Sequence, residues 1–340
     1  SDGAADGVIA VGLQDNGLLE RSFSMTGEWR RFGGGDGTMM ATTPSGIVLG
    51  VSQEVAHSLN PDAGDVVASR IENGLSGVGV PPVLLAGTAA KLSRQVEEDL
   101  VLATARGGGW TGGAPVYAAM RNRQSILGGP QEDITLLELR WTGLAHEWRQ
   151  VIAPWPRLRG TVSSMAVDGG AYIAIGTDQG EIVILETATM SVRVPRLVVG
   201  PGSPSTDRIQ SIDVVDDRGV YAVTFGGVLW FIPFAGAPRA IATWPIASAI
   251  RSGSVAVPVA VAALRSQALG LALATGRDVV ISLDDGLTWR AASTGLPVAP
   301  HLNGLRTVDM GGEEYLLAST WGRSLWQAAV SQLLHPASVG

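Results

Sequence analysis

Apolar runs of five to eight residues recur along the chain, each broken by Gly, Asp or Ser, and a 3.6-residue period is hard to find. Many short runs at regular spacing predict short strands, and so a sandwich, a barrel or a propeller. A recurring unit selects the propeller: a strand ending in small residues, a tight turn, and a strand leaving it. The first copy covers residues 8–21 and turns at Asn16-Gly17, a pair that favours a type I′ hairpin. Further copies cover residues 46–53 and 83–94. The pattern stretches between residues 100 and 151, where runs at 101–104, 116–120 and 134–141 predict strands and 147–151 an outer strand. Cleaner copies follow at 164–182, 209–230, 255–289 and 305–326. About seven to eight units spaced roughly 35–50 residues apart fall in the blade range of propellers. The expected fold is an all-β propeller of about seven or eight four-stranded blades, with residues 1–330 as a single domain and 331–340 as a C-terminal tail.

Composition narrows the partners more than the fold. The chain has 340 residues, 46% of them hydrophobic and 16% charged, enough apolar material for a large core. The net charge of −7 argues against nucleic acid or an anionic membrane surface as the main partner. With no cysteine there is no disulfide, thiolate-bound zinc or thiol nucleophile. No apolar run reaches the ~20 residues that a membrane-spanning helix needs. Residues 1–6 show neither a basic n-region nor an apolar h-region.

One stretch carries a specific local signal. Residues 278–281 are largely apolar, and Ser282, Asp284, Gly286, Thr288 and Trp289 follow at alternating spacing. The Asp284 carboxylate can accept backbone N–H groups of the turn, Ser282 offers a second local bond, and Gly286 permits φ > 0. Trp289 carries a large apolar face into whatever the hairpin packs on. The turn resembles an Asp-box, the Ser-x-Asp-x-Gly-x-Thr-Trp staple of sialidase-like propellers, in which these five residues have a structural role.

Several segments together resemble the BNR-repeat proteins, the bacterial relatives of the sortilin propeller and of xyloglucan-active glycoside hydrolases. The carriers are Gly12-Leu13-Gln14-Asp15-Asn16-Gly17 with Gly34-Gly35-Asp36-Gly37, the stretch from Pro81 through Thr88 to Arg94, residues 282–297, and Thr320-Trp321-Gly322-Arg323-Ser324-Leu325-Trp326. Trp321 and Ser324 depart from the family pattern, and only one Asp-box is complete. In that family the segment matching residues 12–17 lies midway through a longer protein. The resemblance therefore implies a C-terminal half, and as a partner another protein chain, the N-terminal half of the same precursor. It also implies an extracellular or periplasmic location.

A catalytic set is harder to assemble. Glycoside hydrolysis needs two carboxylates about the scissile bond. Asp15, Asp36, Asp178, Asp213 and Asp309 stand at turn or blade-face positions, where turn capping or blade-hairpin chemistry is the ordinary role, and no catalytic residue is assigned. A sialidase would need a nucleophilic tyrosine, yet Tyr117, Tyr172, Tyr221 and Tyr315 all sit in apolar strands and read as core. His57, His146, His301 and His335 show no metal-ligand spacing, so neither a metal nor a cofactor is expected. Trp29, Trp148 and Trp289 fall where outer strands pack. Trp110, in the glycine-rich loop 106–113, is the best candidate for an exposed contact to a ligand or partner, with Asp15 and Asp36 beside it as further candidates. The favoured function is a non-catalytic scaffold subunit of a larger assembly. The alternative is a glycoside hydrolase or carbohydrate-binding propeller acting on a glycan.

Overall fold

A computed structural model of the chain describes the strands between residues 8 and 151, and residues 153–334 apart from 157, 200–202, 205–206, 216, 244–256, 297–300, 311 and 321–324. Its contacts group the chain into two units, residues 1–173 with 186–192, and residues 174–185 with 193–340.

In the first unit, β1 (Val8–Leu13), β2 (Gly17–Ser22) and β3 (Arg30–Gly33) form a three-stranded antiparallel sheet. A second such sheet is formed by β4 (Gly37–Thr42), β5 (Ile47–Ser52) and β6 (Asp65–Arg70). A four-stranded meander follows: β7 (Val101–Thr104), β8 (Val116–Asn122), β9 (Asp133–Trp141) and β10 (His146–Val151). β10 is its outermost strand, as its sequence suggests. The next meander is β11 (Val162–Val167), β12 (Tyr172–Thr177), β13 (Ile182–Glu186) and β14 (Ser191–Arg193), and the division between the units falls within it. First strands neighbour first strands: β1 lies beside β4, β4 beside β7, and β7 beside β11. That radial succession is the blade arrangement of a propeller.

The second unit repeats it. After the short ribbon β15 (Val198–Val199) and β16 (Ser203–Pro204) comes the meander β17 (Ile209–Val215), β18 (Gly219–Thr224), β19 (Val228–Pro233) and β20 (Arg239–Thr243). Next is β21 (Ala260–Leu264), β22 (Gly270–Ala274), β23 (Val279–Ser282) and β24 (Arg290–Ala291), then the three strands β25 (Leu302–Met310), β26 (Glu313–Thr320) and β27 (Leu325–Ala329). The first strands β17, β21 and β25 again stand side by side. A five-residue helix, Val330–Leu334, closes the described chain, with Val330 buried.

The all-β propeller expectation stands, but its blade count does not. The described residues show four four-stranded blades, not seven or eight, and three further sheets carry three strands each. Apolar runs mark the inner strands of a blade, whereas outer strands such as β20 and β24 are largely exposed and carry little apolar signal. Counting apolar units therefore does not count complete blades. The expected copy at residues 83–94 lies outside the described residues.

Burial on both faces explains the continuous apolar runs. In the β21–β24 blade, Val261, Ala263, Leu271, Leu273 and Val280 face Tyr221, Val223, Leu229 and Phe231 of the preceding blade. Ala260, Ala262, Leu264, Ala272, Ala274, Val279 and Ile281 face Leu302, Leu316 and Ala318 of the following sheet. Alternate residues point to opposite sides of a strand, so a blade covered on both sides must be apolar at every position.

Polar caps recur where second strands end. The Thr177 hydroxyl accepts the N–H groups of Gln179 (3.3 Å) and Glu181 (3.1 Å), Thr224 accepts Val228 N–H (3.2 Å), and Thr275 accepts Asp278 N–H (3.1 Å). Asn16 of the expected Asn16-Gly17 turn lies outside the described residues, while Gly17 pairs with Leu13 as the first residue of β2.

Candidate functional site

The turn between β23 and β24 is built from the five residues singled out in the sequence. Ser282 ends β23 fully buried, and its hydroxyl accepts Gly286 N–H at 2.9 Å while donating to Asp284 Oδ1 at 2.8 Å. Asp284 then accepts Thr288 N–H on Oδ1 (2.8 Å) and the Thr288 hydroxyl on Oδ2 (2.6 Å). Those two bonds from Thr288, with the one from Ser282, hold the Asp284 carboxyl down at about 2. Trp289 donates its indole N–H to Gly286 O at 3.0 Å and packs against the core between two blades. Gly286 has φ +86°, and a Cβ there would meet Ile241 Cδ1 at 3.3 Å and Trp289 Cζ2 at 3.5 Å. These five residues thus hold the turn by local bonds and by the packing of Trp289.

The residue between them does something the sequence pattern does not show. Asp285 has φ +59°, a conformation that Asp tolerates better than most residues. Its carboxylate reaches the neighbouring β17–β20 blade. Oδ1 accepts the Tyr221 hydroxyl at 2.6 Å and Arg218 Nη2 at 3.2 Å, and Oδ2 accepts Arg239 Nη2 at 2.5 Å. Arg218 also donates to Ala268 O at 2.6 Å, and Asp285 N–H donates to Leu269 O at 3.0 Å. Both guanidinium groups lie over Phe231, Arg239 at 5.0 Å and Arg218 at 5.6 Å from the ring centroid. Burial, reinforced by the bond to Asp285, raises the Tyr221 phenol well above its ordinary range. This cluster latches one blade to the next.

A second latch lies among the inner strands. Asp213 in β17 is buried, and its Oδ2 accepts Ala263 N–H of β21 at 2.7 Å while Oδ1 accepts Arg265 Nη2 at 3.1 Å. Glu314 of β26 receives the N–H groups of Arg265 (2.6 Å) and Ser266 (2.9 Å) and the Ser266 hydroxyl (2.6 Å). Three consecutive sheets are joined in this way through one turn, residues 265–269. Only an inter-sheet pairing links these residues, so nothing in their spacing announces them.

The other expected site residues come out differently. Asp213 is a buried inter-sheet acceptor. Asp309 is exposed and accepts Gly312 N–H at 3.1 Å in the β25–β26 turn. In the β12–β13 turn the Thr177 hydroxyl, beside Asp178, takes the N–H groups. Asp15, Asp36 and Trp110, the candidate contacts, lie outside the described residues, as does the whole loop 106–113. Of the four tyrosines expected in the core, Tyr117 and Tyr221 are buried, and the Tyr117 hydroxyl donates to buried Glu138 at 3.1 Å. Tyr172 and Tyr315 are only half-buried, a correction to the core assignment. Tyr315 stands near a hairpin end, where its hydroxyl reaches Glu313 at 3.1 Å, and this bond raises its pKa. Among the described residues no group of three or more His, Asp or Glu is placed to hold a metal ion, and no helix is long and apolar enough to cross a membrane.

No family profile matches the chain, and no curated protein matches it. Among solved structures it is similar to the β-propeller domain of Cps50 (Swd1) from Myceliophteria thermophila. That likeness has 10% identity over 94% of this chain and 93% of that chain, with a TM-score of 0.55. At such identity the likeness shows a shared fold, and the fold is the β-propeller.

Proposed function

We propose that the chain is a non-catalytic β-propeller that serves as a rigid platform for another protein chain. One observation carries this reading: the carboxylates of the best-formed polar clusters are engaged in holding turns and sheets. Asp284 closes its own turn, while Asp213, Asp285 and Glu314 bind across sheets. A carboxylate held by such donors acts as a fixed structural acceptor. The closed hydrogen-bond set of residues 282–289 supports reading this turn as an Asp-box staple and the chain as a BNR-type propeller. With that resemblance goes a place outside the cytoplasm and a partner that is a separate polypeptide.

Light scattering on natively purified protein tests the platform. The expected particle is heavier than the 35.2 kDa chain and contains a second polypeptide, held through an interface above ~1,200 Å². A stable 35.2 kDa monomer with no co-purifying chain would overturn it.

A further inference from the structure

The last sheet of the second unit stops one strand short of its neighbours. The β17–β20 and β21–β24 blades each carry a fourth strand outside the third, whereas among the described residues no strand lies outside β27. An edge strand directs every second N–H and C=O outward, where they can pair with another strand. Charge, proline or a bulge ordinarily blunts such an edge. In every other described sheet of three or four strands the outermost strand carries an arginine: Arg30 in β3, Arg70 in β6, Arg149 in β10, Arg193 in β14, Arg239 in β20 and Arg290 in β24. β27, Leu325-Trp326-Gln327-Ala328-Ala329, has no charged residue, no proline and no register shift against β26. In lacking charge it matches β19 and β23, third strands that a fourth strand covers.

The chain does not fill this position with a hairpin. After β13, β19 and β23 a turn brings it back as a fourth strand, but β27 runs directly into the helix Val330–Leu334. Ser331 Oγ donates to Glu313 Oε1 at 2.6 Å, and Arg290 Nη2 donates to the carbonyls of Leu333 (3.3 Å) and Leu334 (3.0 Å). The helix is thus tied to the start of β26 and to β24 of the preceding blade, not laid along β27. Alternation defines what fits beside β27. Trp326, opposite Ala318, packs on the apolar cluster shared with the preceding blade, as do Leu333 and Leu334. Gln327 points to the other face and is exposed.

We infer that the outer edge of β27 is a docking edge, and that an extended segment of a partner protein pairs with it as a fourth strand. The segment matches the five residues of β27 in length, apolar on the side of Trp326 and polar on the side of Gln327. Main-chain hydrogen bonds hold such a strand, and its alternate side chains give specificity. The inference rests on the platform reading and specifies how the partner is held.

Hydrogen exchange of residues 325–329, read by mass spectrometry, tests it. The outward amides of β27 should exchange freely in the chain alone and slow by at least about tenfold in the natively purified complex. A second arm uses a fluorescein-labelled peptide of about nine residues alternating Val with Thr, read by anisotropy. Its comparison is the same peptide N-methylated at every residue. The first should bind and slow the same amides, and the second, with no N–H to donate, should do neither. Gln327 and Ala328 direct their N–H groups to opposite sides of the strand, so Gln327→Pro and Ala328→Pro each remove one of them. The variant that keeps the parent's unfolding midpoint has lost the outward N–H and should bind the peptide at least about tenfold more weakly. If neither keeps it, the methylated peptide gives the same comparison. Outward amides already protected in the chain alone would show that the chain covers its own edge and would overturn the inference. Equal binding of the two peptides, or binding of neither, would overturn it too. A complex whose β27 amides exchange as fast as in the chain alone would overturn it while leaving the platform reading intact. A chain that purifies without a partner overturns the platform reading, and the two peptides then decide whether β27 accepts a strand.

Discussion

Ser282 and Asp284 are two residues apart and fail differently when changed. Ser282 is buried and bridges Gly286 N–H to the Asp284 carboxylate. Ser282→Ala leaves that buried N–H unpaired and should cost about 1–2 kcal/mol in urea unfolding. The Asp284 carboxyl sits at about 2 through its bonds from Thr288 and Ser282. Its folded pKa is below the unfolded value of about 3.9, so its contribution is present above about pH 4 and is lost as pH falls toward 2. Asp284→Asn should flatten stability against pH in that window and nowhere else. An acid limb identical to that of the parent would remove the turn from the ledger of acid-sensitive elements. Tyr221 works at the opposite limit. Its phenol is raised, so its contribution is present below about pH 10 and is lost as pH climbs above that. Tyr221→Phe should cost about 1 kcal/mol at pH 7 and shallow the alkaline limb. Asp285→Ala should cost more, about 2–4 kcal/mol, because it strands the buried Tyr221 hydroxyl and puts Ala at φ +59°. A smaller loss for Asp285→Ala than for Tyr221→Phe would show that Asp285 is not the hub of the latch.

How much was legible follows from where each partner lies. The turn 282–289 could be read from residues because the side-chain bonds of Ser282, Asp284, Thr288 and Trp289 all close within eight positions of the sequence. The Asp285 latch could not, because its partners are 46–67 residues away and are reached only through packed blades. The strands were legible for the reason that made their number illegible. Inner strands such as β21–β23 are apolar throughout because both faces are covered, whereas β24 is exposed and carries no run. This both-faced burial predicts an asymmetry among alanines. Ala262 faces a filled core and is 1% exposed, so Ala262→Leu should overpack it and cost about 1–3 kcal/mol. Ala240, exposed on outer strand β20, should tolerate Leu within about 0.5 kcal/mol. Gly219 opens β18 where a Cβ would lie 2.4 Å from Ile232 O and 2.8 Å from Pro233 Cα, both backbone atoms. Gly219→Ala should therefore cost about 1–3 kcal/mol, measured by urea midpoint. Equal midpoints for the Ala240 and Ala262 variants would contradict the two-sided packing of this blade.

For the whole molecule, the choice between platform and hydrolase turns on what its carboxylates are free to do. Cleaving a glycosidic bond requires one carboxyl to give a proton while another stabilises or attacks the sugar from the opposite side. Asp213 lies inside β17 with Ala263 N–H and Arg265 on its two oxygens, and protonating it would break a join between sheets. Asp284 is held by Ser282 and Thr288, Asp285 by Tyr221, Arg218 and Arg239, and Asp309 caps an exposed hairpin. Asp15 and Asp36, outside the described residues, and Asp178, in the β12–β13 turn, are the other acids of the sequence pattern to test for chemistry. Incubation with xyloglucan, β-glucan and sialosides should therefore release neither reducing sugar nor sialic acid. The decisive comparison is the parent chain against Asp15→Asn, Asp36→Asn and Asp178→Asn. Turnover by the parent that any of these substitutions abolishes, with the unfolding midpoint unchanged, would sink the platform reading and make the molecule a hydrolase.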